Sequence, residues 1–568
     1  MSIDITVTIG GSAGQGIQTV GDLLAGACHR SGLYLMAVND FESRIRGGHS
    51  FMQIRISDQP VAAPYHQIHL LVCLNQESYD RHRETVAESG RILVDQSEAT
   101  DEPNVLAVPF TQMAEDAGGK IMTNAVAAGA CLALMGAPES ILEAVLKERF
   151  GQKASVLENN INAARKGYDA VREEAVDWRI EWPDQAPKGQ LLSGARALAL
   201  GALAADCRLA AFYPMSPATG IMVNLAEFTD QLPLVLEQAE GEIAAMNMVI
   251  GGAFAGVRSM TATSGGGFSL MTEGLGLAAI TETPMVVINA QRPGPATGLP
   301  TRTGQGDLQF VIHASQDEFP RFVLAPASIN HAFDTVVRGF HLAEKYQVPV
   351  IILVDQYFND SLFIATDSLT APEQVERFLV SDADMAEPAA YKRFALTETG
   401  ISPRALPCRG KALVTVTANE HSEDGHISEA ISDRNNMVNK RNGKFAAMLD
   451  EMTPPAEYFG DSKTLLVGWG STDATIREAV DMLRKEDYDV GALIFSDLWP
   501  FPKAHAQKAL SKAERFFTVE LNASSQLGRL IREQTGLSFE RAIVKYDGRP
   551  FMPNDIAAEL INVMGELE

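Results

Sequence analysis

Two short runs constrain this chain more than any other feature. Met285–Asn289 (MVVIN) and Val350–Asp355 (VIILVD) are almost wholly apolar and rich in β-branched residues. An alternating pattern would leave one face of a strand in water, whereas an unbroken one needs cover on both faces. That is the setting of a central strand in a parallel sheet flanked by helices. Each run is far shorter than the roughly 20 residues that cross a bilayer. Around them, strand-like and helix-like runs alternate, which argues an α/β fold.

The alternation occurs in three series. The front series has strands at Ile3–Ile9, Phe51–Ile56, His69–Leu74 and Ile92–Val94, with a helix from about Ile17 to Ser31. The polar stretch Trp178–Gly189 then reads as a linker. The second series starts near Gln190, with strands at Leu209–Tyr213, Leu234–Leu236, Ser259–Thr263, Met285–Asn289 and Val350–Asp355. From about Thr370 to Pro455 the pattern weakens. Ala418–Lys444 is polar with little apolar period, and is expected to be a long connection or a small excursion packed on its neighbours. The third series has strands from Thr464, at Asp489–Phe495 and at Phe516–Glu520, with helices Ser471–Lys485 and Gln526–Thr535. The expectation is three α/β domains with mainly parallel sheets, at 1–180, 190–370 and 456–568, with 371–455 connecting the last two.

Composition narrows the functional classes. The 568 residues are 46% apolar and 21% charged, which permits several large cores. A net charge of −25, from 72 acids against 47 bases, repels nucleic acid and anionic membranes, so neither is an expected partner. The five cysteines, Cys28, Cys73, Cys131, Cys207 and Cys408, contain no CxxC pair, which excludes a local zinc knuckle or ferredoxin-type cluster loop. Their spacing fits a reducing cytoplasm and buried packing roles, and no metal ligands are expected in this chain. The start, MSIDITVTIGG, lacks a signal-peptide pattern, and the longest small apolar run, Ala125–Ala137, is too short to span a membrane. A soluble, cytoplasmic protein is expected.

Several loops carry chemistry-bearing residues. Gly10–Gly16 (GGSAGQG) joins a strand to a helix, where free backbone amides attract anions; Gly14 and Gly16 are the candidate contacts. The strict GxGxxG spacing and the P-loop lysine are both missing. A dinucleotide site, a hydrolase elbow at Ser12 and a plain strand–helix turn all stay open here. Downstream, Arg44 and Arg46 flank a glycine-containing turn and could grip a phosphate or form ion pairs at a subunit contact.

The second series is richer. Tyr213-Pro214-Met215-Ser216-Pro217 follows a strand, and two prolines hold Ser216 on a rigid turn at the carboxyl edge where ligands of open α/β sheets gather. A short apolar strand next ends in Glu237, Glu240 and Glu242, and the period of Ile243, Met246 and Ile250 sets Glu242 at a helix start. One such carboxylate can simply offset the helix dipole; three ahead of a small-residue run favour a pocket. Ser264-Gly265-Gly266-Gly267 follows the next strand and lets a ring or phosphate lie close to backbone. Arg292 follows the fourth, with Thr301 nine residues on, and a guanidinium near a hydroxyl suits a carboxylate substrate. Arg292 alone also fits a structural ion pair; together the four loops converge on one rim.

As a set, YPMSPAT, QAEGEIAAMNMVIGGAFAG, TSGGGF, QRPGPATGLPTRT and HASQDEFP resemble the 2-oxoacid:ferredoxin oxidoreductases. IGGSAGQGIQT with ESRIRGGHS is similar to that family's gamma domain, and LLVGWGSTDATIREAV with LWPFP to its transketolase-C-like domain. GISPRALP, GHISE and KRNGK in the polar connection are also similar to it. The resemblance implies a gamma–alpha fused large subunit whose second domain binds the pyrimidine half of thiamine diphosphate. Glu242 matches the glutamate that hydrogen-bonds the pyrimidine N1′, and Tyr213, Pro214, Gly265 and Gly266 fall at cofactor-contacting positions. Ser216 stands where most relatives carry threonine in YPxTP: the hydroxyl survives and the methyl is lost. Arg292 and Thr301 match residues implied in binding the 2-oxoacid carboxylate or coenzyme A, and Gly14, Gly16, Arg44 and Arg46 are further candidates for coenzyme A or another anion. No GDG motif with a metal-binding asparagine and no cysteine array occur. The resemblance therefore implies that Mg2+ and a [4Fe-4S] cluster reside in a beta subunit, that ferredoxin takes the electrons, that the assembly is (alpha-beta)2, and that this chain alone is inactive. The fusion order favours 2-oxoglutarate, with succinyl-CoA as product or as substrate of the reverse carboxylation. Pyruvate or branched 2-oxoacids are the alternatives. A redox-neutral thiamine enzyme, a nicotinamide-dependent dehydrogenase using the front loop, and a non-catalytic scaffold are the rival classes.

Overall fold

A computed structural model describes residues 3–43, 47–98, 102–381, 391–411 and 413–567. The chain forms two compact units. The first comprises Met1–Leu192, Asp360–Ser368 and Met552–Asn554; the second comprises Ser193–Asn359, Leu369–Phe551 and Asp555–Glu568.

The first unit is built on an eight-stranded mixed sheet. Its parallel half runs Val105–Val108, Val86–Asp95, Ile68–Cys73 and Asp4–Ala13. Gly47–Ser57 then pairs antiparallel with Asp4–Ala13, Tyr34–Phe41 antiparallel with Gly47–Ser57, and Leu362–Ala365 antiparallel with Tyr34–Phe41; Gln190–Ser193 is the eighth strand, next to Leu362–Ala365. Thus the front sheet is mixed, with parallel and antiparallel halves. The core lies between it and helices Ile17–Arg30, Thr123–Leu134 and Glu139–Phe150. Glycine occupies the start of the first helix for a steric reason: Gly16 has φ 84°, and a Cβ there would collide with Asn124.

The second unit contains a seven-stranded and a five-stranded sheet. The seven-stranded order is Asp497–Trp499, Phe322–Leu324, Pro349–Asp355, Met285–Gln291, Ser259–Thr263, Leu209–Phe212, Val235–Gln238. Every pair is parallel except Asp497–Trp499 with Phe322–Leu324. The two apolar runs are neighbours inside this sheet, and all their residues are buried. The five-stranded sheet orders Ala456–Tyr458, Val490–Phe495, Thr464–Trp469, Arg515–Glu520 and Ala542–Val544, antiparallel only at Ala456–Tyr458. Val287 and Ile351 of one sheet share a core with Leu465 and Phe495 of the other.

The polar connection folds into a 20-residue helix, Ile431–Asp450. Its inner face carries Met437, Lys440, Arg441, Lys444 and Met448, so cations occupy positions that an ordinary amphipathic helix gives to aliphatics. Lys440 Nζ donates to both Glu282 carboxylate oxygens at 2.6 and 2.8 Å, and Lys444 Nζ donates to Oε2 at 2.6 Å. Arg393 donates to the carbonyls of Thr281 and Glu282 and to Gln347 Oε1. Burial alone would raise the Glu282 pKa, but Lys444, Lys440 and Arg393 hold it far below the carboxylate range. Burial in turn pulls the Lys440 ammonium down to about 8 against the attraction of Glu282. A second cluster, Glu344 with Arg258, Arg377 and Arg404, fastens the earlier part of the connection.

Four cysteines are buried, but Cys408 is exposed, with φ 63° on a turn, which corrects the expectation that all five pack inside. Among the described residues no helix is long and apolar enough to cross a membrane.

Candidate active site

Parallel strands end at a common edge, so the loops after four neighbouring strands face one another. Those strands are Met285–Gln291, Ser259–Thr263, Leu209–Phe212 and Val235–Gln238. Each loop begins with one of the residue groups singled out from the sequence.

Arg292 follows Gln291 directly and Ser216 lies in the loop after Phe212. The guanidinium Nη1 donates to the Ser216 carbonyl at 2.6 Å, so the contact is to backbone and leaves the exposed Ser216 hydroxyl free of this arginine. Asn359 Nδ2 donates to the Pro217 carbonyl at 2.8 Å, fixing the same turn from its buried side. Among the described residues Arg292 has no carboxylate partner. Burial alone lowers its pKa, with no neighbouring anion opposing that. Thr301 is 8% exposed on the loop that Arg292 opens, and that loop folds back through Leu299 N–H to the Pro293 carbonyl at 2.9 Å.

Glu242 is the first residue of helix Glu242–Phe254, after Gly241 in extended backbone. The residue is 5% exposed, and among the described residues its buried Oε1 has no hydrogen-bond partner. A buried carboxylate oxygen with no donor is costly unless a ligand or water completes it. Gly267 makes the space for it: a Cβ there would lie 2.7 Å from Glu242 Oε1 and would overlap Thr263 Oγ1. Thr263 Oγ1 in turn lies 3.9 Å from Met215 Sδ, which joins the Glu242 side of the rim to the Ser216 turn. Tyr213 and Gly266 are exposed on this rim, and Pro214 and Gly265 are half-buried.

The glycine run also shelters a residue that sequence reasoning missed. A Cβ at Gly265 would lie 2.5 Å from Asp307 Oδ2. Burial pushes the Asp307 carboxyl up, opposed only by the hydrogen bond from Asn289 Nδ2 at 3.1 Å. Ser264 Oγ and Asn289 Oδ1 are buried and unpartnered beside it. Among the described residues, the polar oxygens of Glu242, Ser264 and Asn289 are therefore buried and unpartnered around a glycine-lined helix start. Asp307 lies only six residues past Thr301, in TRTGQGDLQF, but nothing in that spacing shows that its carboxyl reaches Gly265.

The front glycine loop is different. Gln15 Oε1 accepts from Ser12 N–H at 2.6 Å and from Asn75 Nδ2 at 3.0 Å, and Asn75 Nδ2 also donates to Ser12 Oγ at 2.8 Å. Ser12 is thus tied to an amide, not to a histidine as a hydrolase elbow requires. Gly14 has φ 90°, and among the described residues a Cβ there would meet nothing within 4 Å. Arg44 and Arg46 lie outside the described residues.

Comparison with known proteins gives the family. Residues 200–440 match the family described as pyruvate flavodoxin/ferredoxin oxidoreductase, thiamine diphosphate-binding; residues 6–170 match pyruvate ferredoxin/flavodoxin oxidoreductase; residues 462–556 match pyruvate:ferredoxin oxidoreductase core domain II. A 2-oxoacid:ferredoxin oxidoreductase subunit alpha from Sulfolobus sp. is 32% identical, over 99% of this chain and 97% of its own length. The chain belongs to the 2-oxoacid:ferredoxin oxidoreductase alpha-subunit family. It is an oxidoreductase subunit. A 2-oxoglutarate synthase subunit KorA from Methanothermobacter thermautotrophicus is 30% identical over 64% of this chain and 96% of its own length. The solved 2-oxoglutarate:ferredoxin oxidoreductase from Magnetococcus marinus, with 2-oxoglutarate, coenzyme A and succinyl-CoA bound, superposes with a TM-score of 0.92 at 31% identity, covering 99% of this chain and 100% of that one.

Proposed function

We propose that this chain is the alpha subunit of a 2-oxoglutarate:ferredoxin oxidoreductase and that Glu242 holds the aminopyrimidine of thiamine diphosphate. The observation that carries the reading is the buried Glu242 Oε1, unpartnered among the described residues, in the space left by Gly267. An acid at that point hydrogen-bonds a ring nitrogen, and the glycine-lined helix start lets a flat ring lie against backbone. When bound, the cofactor supplies the nucleophilic carbon and the electron sink that 2-oxoacid cleavage needs.

The rest of the rim has matching roles. Arg292, a half-buried cation with no carboxylate partner among the described residues, binds the substrate carboxylate. Its bond to the Ser216 carbonyl holds the guanidinium at the rim, where the Ser216 and Thr301 hydroxyls complete the substrate contacts. Tyr213, Pro214, Gly265 and Gly266 line the cofactor side. A beta subunit supplies Mg2+ for the diphosphate and a [4Fe-4S] cluster that passes electrons to ferredoxin, within an (alpha-beta)2 assembly. Coenzyme A is the acyl acceptor, and Gly14, Gly16, Arg44 and Arg46 are its candidate anion contacts. The choice of 2-oxoglutarate is supported by the names of the KorA relative and of the Magnetococcus enzyme.

The test is co-expression with the beta subunit and a panel of 2-oxoacids, assayed with coenzyme A and a viologen acceptor. Activity is expected only from the complex, highest with 2-oxoglutarate, and reduced on the order of 10²–10³-fold by Glu242→Ala. A complex that prefers pyruvate or a branched acid corrects the substrate; one that keeps full turnover with Glu242→Ala removes the assigned role.

A further inference from the structure

We propose that Gln305 is a positioning residue for the 2-oxoacid, clamping the loop that carries Arg292 and Thr301 onto the five-stranded sheet. The inference rests on the substrate role just proposed for that loop. Gln305 is 1% exposed, and all four of its polar groups are engaged by distant segments. Its N–H donates to the Leu521 carbonyl at 2.7 Å, and its side-chain Oε1 accepts from Leu521 N–H at 3.1 Å. Its Nε2 donates to the Trp469 carbonyl at 2.8 Å, and its own carbonyl accepts from Asn522 Nδ2 at 3.1 Å.

The other end of this clamp is rigid. Glu520, fully buried at the end of strand Arg515–Glu520, accepts from Asn522 Nδ2, Ser525 Oγ and Leu527 N–H at 2.9 Å each and from Gly528 N–H at 3.1 Å. Trp469 Nε1 donates to the same carboxylate at 3.3 Å. One anion thus orients both Asn522 and Trp469, the two residues that grip Gln305 along with Leu521. Two flanking bonds reinforce the grip: Thr303 N–H to the Gly548 carbonyl at 3.2 Å and Gln526 Nε2 to the Gly306 carbonyl at 2.7 Å.

The clamp reaches the rim by a short path. Two residues past Gln305, Asp307 N–H donates to Gln291 Oε1 at 3.0 Å, and Gln291 is bonded through the chain to Arg292. In the other direction Thr301 is four residues away, and Thr303 Oγ1 between them accepts from Tyr357 N–H at 3.2 Å. The intervening stretch 294–299 is exposed and contains two glycines, and its backbone is closed by the Leu299 N–H to Pro293 carbonyl and Arg302 N–H to Leu299 carbonyl bonds, at 2.9 and 3.1 Å, while the buried anchorage lies further on, at Gln305. Ordering such a stretch at the moment of binding costs about 1–2 kcal/mol per residue, and the clamp removes part of that cost beforehand. This assigns a task to the five-stranded sheet, which carries none of the proposed cofactor or substrate contacts.

The test uses the complex with the beta subunit. Gln305→Met keeps the side-chain length and removes both side-chain hydrogen bonds. It is expected to raise KM for the 2-oxoacid by on the order of tenfold, the scale of a modest misplacement, while thiamine diphosphate affinity and KM for coenzyme A stay within about twofold. In an Arg292→Ala background Gln305→Met is expected to add little, because both act on one contact. Gln526→Ala, which loses the bonds to the Gly306 carbonyl and from the Gln309 N–H and leaves Gln305 itself in place, is expected to give a smaller shift of the same kind and covers the case that Gln305→Met does not fold. An unchanged KM for the 2-oxoacid in an active Gln305→Met complex, or an equal weakening of 2-oxoacid, coenzyme A and thiamine diphosphate binding, overturns the inference and leaves the functional reading intact. A wild-type complex inert towards every 2-oxoacid removes both.

Discussion

The Glu282 cluster gives a prediction that can be worked from its contacts. Glu282→Gln removes the charge and leaves one carbonyl acceptor where the carboxylate accepted three lysine hydrogen bonds. Hydrogen bonds to charged groups contribute ~1.5–3 kcal/mol each. An amide oxygen at the Oε2 position can still accept from both lysines, so at least one of the three bonds is lost together with the charge, and the expected cost is roughly 3–5 kcal/mol, that of breaking a buried ion pair by removing one partner. The variant leaves Lys440 and Lys444, each 1% exposed at the side chain, beside Arg393 with no anion. The pH dependence follows from linkage. In the wild-type protein Lys440 already has a folded pKa near 8, below the ordinary lysine value. Across the window between about 8 and the unfolded value the unfolded state binds more protons, so this group makes stability rise with pH. Without Glu282 both lysines fall further and shed their protons more readily. Urea unfolding followed by tryptophan fluorescence should show the full deficit at pH 6.5 and a smaller one at pH 9.5. A deficit below about 1 kcal/mol at pH 6.5, or one that does not shrink with rising pH, would refute the argument.

Two other substitutions probe the rim. Arg292→Ala in the complex should raise KM for the 2-oxoacid by roughly 10–150-fold, the equivalent of one charge-assisted contact, with a smaller change in KM for coenzyme A; equal changes in both would contradict its assignment to the carboxylate. Gly267→Ala forces a methyl into the Glu242 carboxylate and Thr263, and should weaken thiamine diphosphate binding measurably by calorimetry at a stability cost of about 1–3 kcal/mol; unaltered affinity would separate Gly267 from the cofactor site.

Much of the α/β architecture was legible because period and composition agree there. MVVIN and VIILVD declared a doubly covered sheet, and the structure makes them adjacent central strands. The strand Tyr34–Phe41 escaped because its second half, Val38-Asn39-Asp40-Phe41, is part polar and pairs in the antiparallel half of a sheet read as parallel. The helix Ile431–Asp450 escaped for the opposite reason. Its inner positions are lysines and arginines whose burial depends on Glu282 and Glu420, and no local pattern reveals a partner 158 residues earlier. The same limit applies to the site. Strand ends could be aligned from sequence, which brought Ser216, Glu242, Gly265 and Arg292 to one edge. The Asp307 carboxyl and the Gln305 clamp depend on contacts between distant segments, and the Ser216 carbonyl, not its hydroxyl, receives Arg292.

The central claim is that Glu242 touches the ring nitrogen N1′, and a cycle between protein and cofactor tests it most directly. The complex is loaded with thiamine diphosphate or with its pyridyl analogue, in which a C–H replaces N1′, for wild type and Glu242→Ala. The account predicts that either change alone lowers turnover by on the order of 10²–10³-fold and that the second change, made on top of the first, costs almost nothing further. Losses that multiply would contradict it, because they would mean the acid and the nitrogen act on different things.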